Sequence, residues 1–318
     1  MTAFPSTNIN VLVTGATGFI GSHLCHELVQ KGYRVFGLSH SGNMRNIEWL
    51  LQQCNFHLLQ ADICDMGCIS SVIKENNIGA VFHLAAQLPS ADDLDDPQSS
   101  FDVNVRGTLN TLHAACMHKV ARFIYSSSID VYSEPPQYLP VDERHPTRPG
   151  THYGAGKLAG ELYGNLYSNS IKVTVLRYSI VYGRGCKRGG AVNRFIHQAA
   201  NCEPLTIYGA GAQSNDFVYV GDVVQANLLA LEQDKPGIYN IGSGEETSVK
   251  GLAQSIIKLT GSRSGILFTH TESNKPFRFA LDISLAQKAL GYEPSSLSQG
   301  LSEYIKHFEL KEYEITRR

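Results

Sequence analysis

The sequence predicts an α/β protein, a doubly wound parallel sheet with a smaller, mixed C-terminal lobe, and three observations carry that expectation. Short β-branched runs alternate with longer segments of helical period through the first half of the chain. A glycine triplet follows the first such run directly and opens the first helical segment. After about Tyr178 the rhythm gives way to glycine-rich loops, YGRGCKRGG and YGAGAQSN, with shorter elements between them.

Taken in order, INVLVT reads as a strand and FIGSHLCHELVQKG as a helix, followed by strands YRVFGLS and FHLLQADI. CISSVIKENN is the next helix, AVFHLAA the next strand, and SSFDVNVRGTLNTLHAACMHK a long helical segment. ARFIYSSS is a strand, the segment around Tyr153 a helix, and KVTVLRYS a strand. DVVQANLLALEQ reads as a helix begun by Asp222 after a glycine, and the final KEYEITRR as a solvated tail. The division expected is a dinucleotide-binding unit over 1–178, with 216–245 packing back on it. Residues 179–215 and 246–318 then form a substrate lobe.

A chain of 318 residues holds ample apolar material for one large domain or two interleaved lobes. Its 27 basic and 29 acidic residues nearly cancel, and no basic stripe points to nucleic acid. No run of about 20 apolar residues could cross a bilayer. The opening MTAFPSTNIN lacks a charged-then-apolar plan, so a cytoplasmic location is expected. Seven scattered cysteines suit reduced thiols better than a disulfide framework, and Cys64 and Cys68 lack the companions of a zinc site, so no metal is expected.

TGATGFIGSH sets Gly15, Gly18 and Gly21 in a G-x-x-G-x-x-G spacing between strand and helix. Glycine there permits the tight turn, the approach of backbone to a pyrophosphate and close helix packing, while the helix N-terminus presents N–H groups. Glycines also serve plain turns, but strand, triplet and helix in register make the turn a Rossmann-type cofactor cradle, with Thr17, Phe19 and Ile20 as further contacts. An acidic residue about 20 positions on ordinarily meets the adenosine ribose. Here the second strand ends in Ser39, His40 and Ser41. Without a carboxylate to repel a 2′-phosphate, and with His40 or Arg45 able to approach one, the cofactor is NAD or NADP, with a slight lean to NADP. Asp62, in QADI, is a candidate partner for the adenine amino group or a helix cap, and Ile63 follows it into the cleft.

Tyr153 and Lys157 stand at i and i+4, so they project from one helix face about 5–6 Å apart at Cβ. An ammonium beside a phenol favours the phenolate, lowering a pKa of about 10 toward the range of a general acid/base. Ser128, in the loop after the ARFIYSSS strand, can hydrogen-bond the same substrate oxygen. Singly, a Tyr–Lys pair is commonly a surface contact and SSS a turn; in conjunction with the glycine turn they form a proton-transfer site beside a hydride carrier.

With those residues in view, the chain resembles the extended short-chain dehydrogenase/reductases, specifically the NAD-dependent epimerase/dehydratase group typified by UDP-galactose 4-epimerase. The likeness runs through TGATGFIGSHL, HLAAQ, NVRGTLN, RFIYSSSIDVY, YGAGK, LRYSIVYG, DFVYVGDVV, YNIGSG and LDISLAQKALGYEP. It implies Tyr153 as catalytic base, Lys157 as holder of the cofactor ribose, and Ser128 on the reacting hydroxyl. It further implies a cofactor cleft lined from His83 through Leu84, Ala85 and Ala86, supported by Asn104 and bounded by Tyr178. Gln87, Ser128, Ile129, Ile180, Asn193, Arg194, Asn215 and Arg278 are the implied substrate contacts. A nucleotide sugar is the implied partner, and a homodimer through helices such as 99–118 and 151–168 the implied assembly.

The chain departs from the family pattern in informative places. Dehydratases of the family carry an acidic pair where this chain has Ile129 and Asp130, and one carboxylate without its neighbour argues against water elimination. The Asn expected in RYFNVYG-like segments is Ile180, the Arg expected before DFVYV is Asn215, and the late Arg-Pro is Lys275-Pro276. An amide cannot replace a bidentate guanidinium on a diphosphate. Arg184, Lys187 and Arg188 form a basic loop, and with Arg194 and Arg278 they either replace that grip or simply solvate the second lobe. The leading expectation is a sugar epimerase that oxidises a carbinol, lets the keto sugar turn, and returns the hydride to the other face. A ketoreductase or dehydrogenase exchanging NADP(H) is the alternative, and a non-catalytic cofactor-sensing protein the third.

Overall fold

The first β-branched run forms β1 (Asn10–Thr14), whose side chains are buried on both faces: Val11 and Val13 enter one core and Leu12 the opposite one. The computed structural model describes residues 9–40, 44–88, 96–186, 190–270 and 277–315. Strands β2 (Arg34–Ser39), β3 (Phe56–Gln60), β4 (Ile78–His83), β5 (Arg122–Ser128) and β6 (Lys172–Tyr178) follow. Beyond them come β7 (Ile180–Tyr182), β8 (Leu205–Tyr208), β9 (Ser214–Tyr219), β10 (Gly237–Ile241), β11 (Glu246–Ser248) and β12 (Ile266–Thr269). The helices are α1 (Phe19–Gln30), α2 (Met66–Glu75), α3 (Pro97–Phe101), α4 (Thr108–Met117) and α5 (His152–Tyr167), then α6 (Ala191–Ala200), α7 (Val220–Glu232), α8 (Val249–Thr260), α9 (Ser284–Leu290) and α10 (Leu297–Ile315).

Seven strands make one parallel sheet in the order β10-β6-β5-β4-β1-β2-β3. The order reverses beside β1, which opens a crevice at the carboxyl ends of the strands, where ligands bind in such sheets. α1 and α7 cover one face with Leu24, Leu28, Val223 and Val224; α2 and α4 cover the other with Ile69, Ile73 and Leu112. A third core lies among α6, α8, α10, β8 and β9, around Phe195, Leu252, Ile256 and Leu301. Two short sheets, β11-β9-β7 and β12-β8, belong to this C-terminal part, yet β10 returns to the edge of the main sheet beside β6.

Three local expectations are corrected. The segment 99–119 is not one regular helix: α3, with Pro97 at its start and Asp96 capping it, passes through a π-helical turn (Asp102–Gly107) into α4. α7 begins at Val220, two residues before Asp222, because Asp222 lies in its first turn, where its carboxylate accepts from Ser295 Oγ at 2.9 Å. Helix α10 runs through Ile315, so the first five residues of the expected tail are helical.

Candidate active site

At the end of β1 the chain turns sharply at Gly15, whose φ of +72° is a left-handed conformation that suits glycine. A Cβ there would also stand 2.9 Å from the Ala85 amide nitrogen. One at Gly21 would stand 2.2 Å from the Gly15 carbonyl oxygen, so α1 packs against the turn only because position 21 has no side chain. Gly18 is the N-cap of α1, no side chain caps that end, and no acidic residue lies in its first turn. No carboxylate of its own first turn therefore offsets the positive end of the helix dipole, which fits a pyrophosphate.

A cavity of about 500 Å³ opens over this turn. Of the residues expected at the cofactor cleft, all but His83 and Asn104 line it: Gly15 and Thr17 to Gly21 of the turn, Ser39 and His40 after β2, Asp62 and Ile63 after β3, Leu84 to Ala86 after β4, and Tyr153, Lys157 and Tyr178. Gln87 lines it as well, as do Ser126 and Ser127, which sequence reasoning did not single out.

Where a ribose-binding acid ordinarily stands, Ser39 Oγ shares a 2.8 Å hydrogen bond with Thr17 Oγ1. His40 is exposed, its Nε2 3.9 Å from Asp62 Oδ2. Asp62 Oδ1 accepts from the Cys64 amide at 2.8 Å, whereas the cap of α2 is Asp65, so Asp62 does not serve as that helix cap. Ser41 lies outside the described residues.

Tyr153 and Lys157 face the same cavity from α5, only 9% and 3% exposed. Lys157 Nζ donates to the Ser126 carbonyl oxygen at 2.7 Å, and lies 5.7 Å from the Tyr153 ring centre and 5.1 Å from that of Tyr125. Burial pulls its pKa down to about 7, against an opposing pull from the Glu161 carboxylate. Ser128 is the last residue of β5 rather than part of the loop after it; its hydroxyl accepts from the Asp130 amide at 3.2 Å and caps the short turn Ile129–Val131.

His83 does not line the cleft, contrary to expectation: it is fully buried one layer beneath it. Thr14 Oγ1 already accepts the Leu84 and Ala85 amides at 3.2 and 3.1 Å, so its proton goes to His83 Nδ1, 2.9 Å away. Nε2 then donates to Thr108 Oγ1 at 3.0 Å. Burial, helped by the charge on Lys157, drives this imidazole down to about 3 and keeps it neutral. Asn104 is likewise a layer back, in the π-helical turn: its amide accepts the Gln87 N–H at 2.9 Å and donates to the Gln87 carbonyl at 2.8 Å, which fixes the cleft wall after β4.

Of the expected substrate contacts, Gln87, Ser128 and Ile129 stand on the main-sheet side, after β4 and at the end of β5, and the others fall on the C-terminal part. Ile180 is on β7 and Asn215 on β9. Asn193 Nδ2 donates to the Cys186 carbonyl, and its oxygen accepts from Tyr304. Arg194 lies over the Phe195 and Tyr208 rings, and its buried Nε has no hydrogen-bond partner. Arg278 forms a bidentate pair with Glu246, both contacts 2.7 Å, and Glu246 also accepts from Ser214. Lys187, Arg188, Lys275 and Pro276 lie outside the described residues.

A glycine turn at a switch point of a parallel sheet, sharing one cavity with a Tyr-x-x-x-Lys helix, defines an enzyme of the extended short-chain dehydrogenase/reductase class. The chain belongs to the NAD dependent epimerase/dehydratase family, whose sequence profile matches residues 11–242. It is 34% identical over 313 residues to a UDP-glucose 4-epimerase of Mycolicibacterium smegmatis, covering 95% of this chain and 99% of that one. Among solved structures, the UDP-glucose 4-epimerase of Thermotoga maritima, determined with UDP-glucose, superposes with a TM-score of 0.87 at 32% identity, covering 95% of this chain and 99% of the other. The UDP-glucuronic acid 4-epimerase of Bacillus cereus, determined with UDP-glucuronic acid and NAD, gives 0.82 at 33% identity, covering 94% and 100%. Among the described residues, no helix is long and apolar enough to cross a membrane.

Proposed function

We propose that this protein is an NAD(P)-dependent epimerase of a nucleoside-diphosphate sugar, with a UDP-sugar as substrate, working through a transient keto sugar. One observation carries the reading: Tyr153 and Lys157 open on the same cavity as the glycine turn. Gly15, Gly18 and Gly21 would hold the pyrophosphate, Lys157 a ribose, and Tyr178 and Ala85 the walls. The nicotinamide, when bound, supplies reversible two-electron oxidation of a carbinol. Tyr153 removes the proton of the reacting hydroxyl and later returns it. The Lys157 ammonium favours the phenolate that the first of these steps needs. Ser128 hydrogen-bonds the same oxygen and fixes it toward Tyr153. Lys157 has its own anchor on the Ser126 carbonyl, so its charge stays beside the phenol without the substrate.

We assign the dinucleotide to residues 1–178 with 216–245, and the sugar nucleotide to 179–215 with 246–318. In that division Arg278 and Arg194 stand in for the guanidinium missing at Asn215. A homodimer is part of the same reading, supported by Leu162 and Leu166, which are 60% and 72% exposed at i and i+4 on α5, with Phe101 and Met117 exposed on α3 and α4.

A second reading, a ketoreductase or dehydrogenase that exchanges NADP(H) with solvent, is favoured by Ser39, which leaves no carboxylate against a 2′-phosphate at the end of β2. Incubation with UDP-glucose, UDP-glucuronic acid and their 4-epimers separates the two. Conversion without net change in reduced-nicotinamide absorbance supports the epimerase, and stoichiometric oxidation of NADPH by a keto substrate supports the reductase. Failure to convert any sugar nucleotide in either direction would remove the first reading.

A further inference from the structure

Behind the proton-transfer pair lies a buried charged layer, Glu161 with Arg177. Glu161 is one helical turn after Lys157 on α5 and 4% exposed. Its Oε1 accepts from Ser127 Oγ at 2.5 Å and from Arg177 Nε at 2.9 Å, and its Oε2 from Arg177 Nη2 at 2.6 Å. Arg177, on β6 and 3% exposed, is held in turn by the Tyr132 hydroxyl at 3.0 Å and the Glu143 carbonyl at 3.2 Å. Consecutive residues of β5 thus bind consecutive turns of α5: the Ser126 carbonyl takes Lys157, and the Ser127 hydroxyl takes Glu161. The two elements come this close because position 160 is glycine, where a Cβ would stand 2.3 Å from the Tyr125 hydroxyl.

We propose that Glu161 is a positioning residue for the proton-transfer step: fixed by Arg177 and Ser127, its carboxylate keeps the buried Lys157 amine in its ammonium form and aimed along the Ser126 carbonyl. A solvated lysine would need no such partner. Lys157 is fully buried, and desolvation disfavours its charged form. The groups that face it are few. From its own helix come Tyr153 and Glu161; from β5 the Tyr125 ring and the Ser126 carbonyl. From β4 comes neutral His83, and on β6 stand Tyr178 and the cation Arg177, which Glu161 occupies. Glu161 is the one anion in that set, and its attraction is the pull on Lys157 that opposes burial. The proposal rests on the reading of Lys157 as the partner of Tyr153.

The test follows Lys157 directly, by the 13Cε shift of 13C-lysine-labelled protein against pH, with the signal assigned through Lys157→Arg. Glu161→Gln leaves Arg177 buried without its partner and can lose the fold for that reason alone. The decisive variant is therefore Glu161→Gln/Arg177→Met, which removes both charges and keeps a hydrogen-bonding group for Ser127. The expected result is a folded protein whose Lys157 midpoint falls below that of the wild type. The alkaline limb of kcat/KM should move down with it. A folded variant, single or double, with the wild-type midpoint overturns the proposal, and so does a double variant that cannot fold, since Glu161 would then serve the fold alone. The midpoint is read without turnover, so it is independent of the reaction assigned above: a Tyr153→Phe enzyme that retained turnover would remove that assignment and leave this measurement standing.

Discussion

Lys157 Nζ and the Ser126 carbonyl oxygen stand 2.7 Å apart, joining the helix that carries the proton-transfer pair to the strand that floors the cavity. The bond consumes one donor of an amine that has almost no contact with water, and the stability of the protein should register that burial.

The buried Lys157 has a pKa near 7, below the value of about 10.4 for an unfolded lysine. Between those values the unfolded chain binds more protons, so this residue makes unfolding harder as pH rises from about 7 to about 10. Lys157→Met is expected to be more stable than the wild type near pH 6.5, with the gap closing toward pH 9.5. Urea midpoints of the two cofactor-free proteins at several pH values measure it, and a constant gap would contradict the depressed pKa.

Tyr153→Phe removes the proton carrier while leaving the ring that walls the cavity. A loss in kcat of about 10²-fold or more is expected, with cofactor affinity changed less than about threefold. Steady-state kinetics and cofactor titration separate the two effects. Undiminished turnover would end the assignment of Tyr153.

Ser39→Asp places a carboxylate at the end of β2, where Ser39 now bonds Thr17. Two like charges about 4 Å apart near a protein surface repel by about 4 kcal/mol. Even half of that lowers the NADP-to-NAD affinity ratio by about 30-fold. Binding isotherms for both cofactors give the ratio, and an unaltered ratio would show that position 39 does not meet the adenosine ribose.

Leu166→Arg tests the assembly. At 72% exposure the substitution should leave the protomer folded while placing a cation in the proposed helix-to-helix contact. Sedimentation velocity is expected to show a wild-type dimer and a monomeric variant; a wild-type monomer at micromolar concentration would refute the dimer.

Legibility in the sequence followed locality. Gly15, Gly18 and Gly21 fall in one short strand-to-helix connection, and Tyr153 and Lys157 on a single helix face, so spacing alone implied their geometry. The π-helical turn at Asn104 is not legible because 99–119 has an unbroken helical composition, and the bonds from Asn104 to Gln87 come from a residue 17 positions away. The layer that His83 occupies is illegible for a related reason: strand alternation says that it is buried, but which buried layer it enters depends on Thr14 and Thr108, 69 and 25 residues away. Glu161 carried a visible signal, the i+4 spacing from Lys157, yet its meaning required Arg177 from the neighbouring strand.

By itself, then, the sequence determined the alternation of strands and helices and the phenol–amine pair, because each is written in periodicities of two or 3.6 residues within one element, and the phosphate turn, because its glycines recur within seven consecutive residues. Tertiary structure alone decided that β10 returns to the main sheet, that Lys157 is dry, and that a carboxylate from its own helix and a guanidinium from β6 meet behind it. Those are consequences of close packing between segments distant in the chain, where desolvation and partner charge depend on what else arrives at the same place.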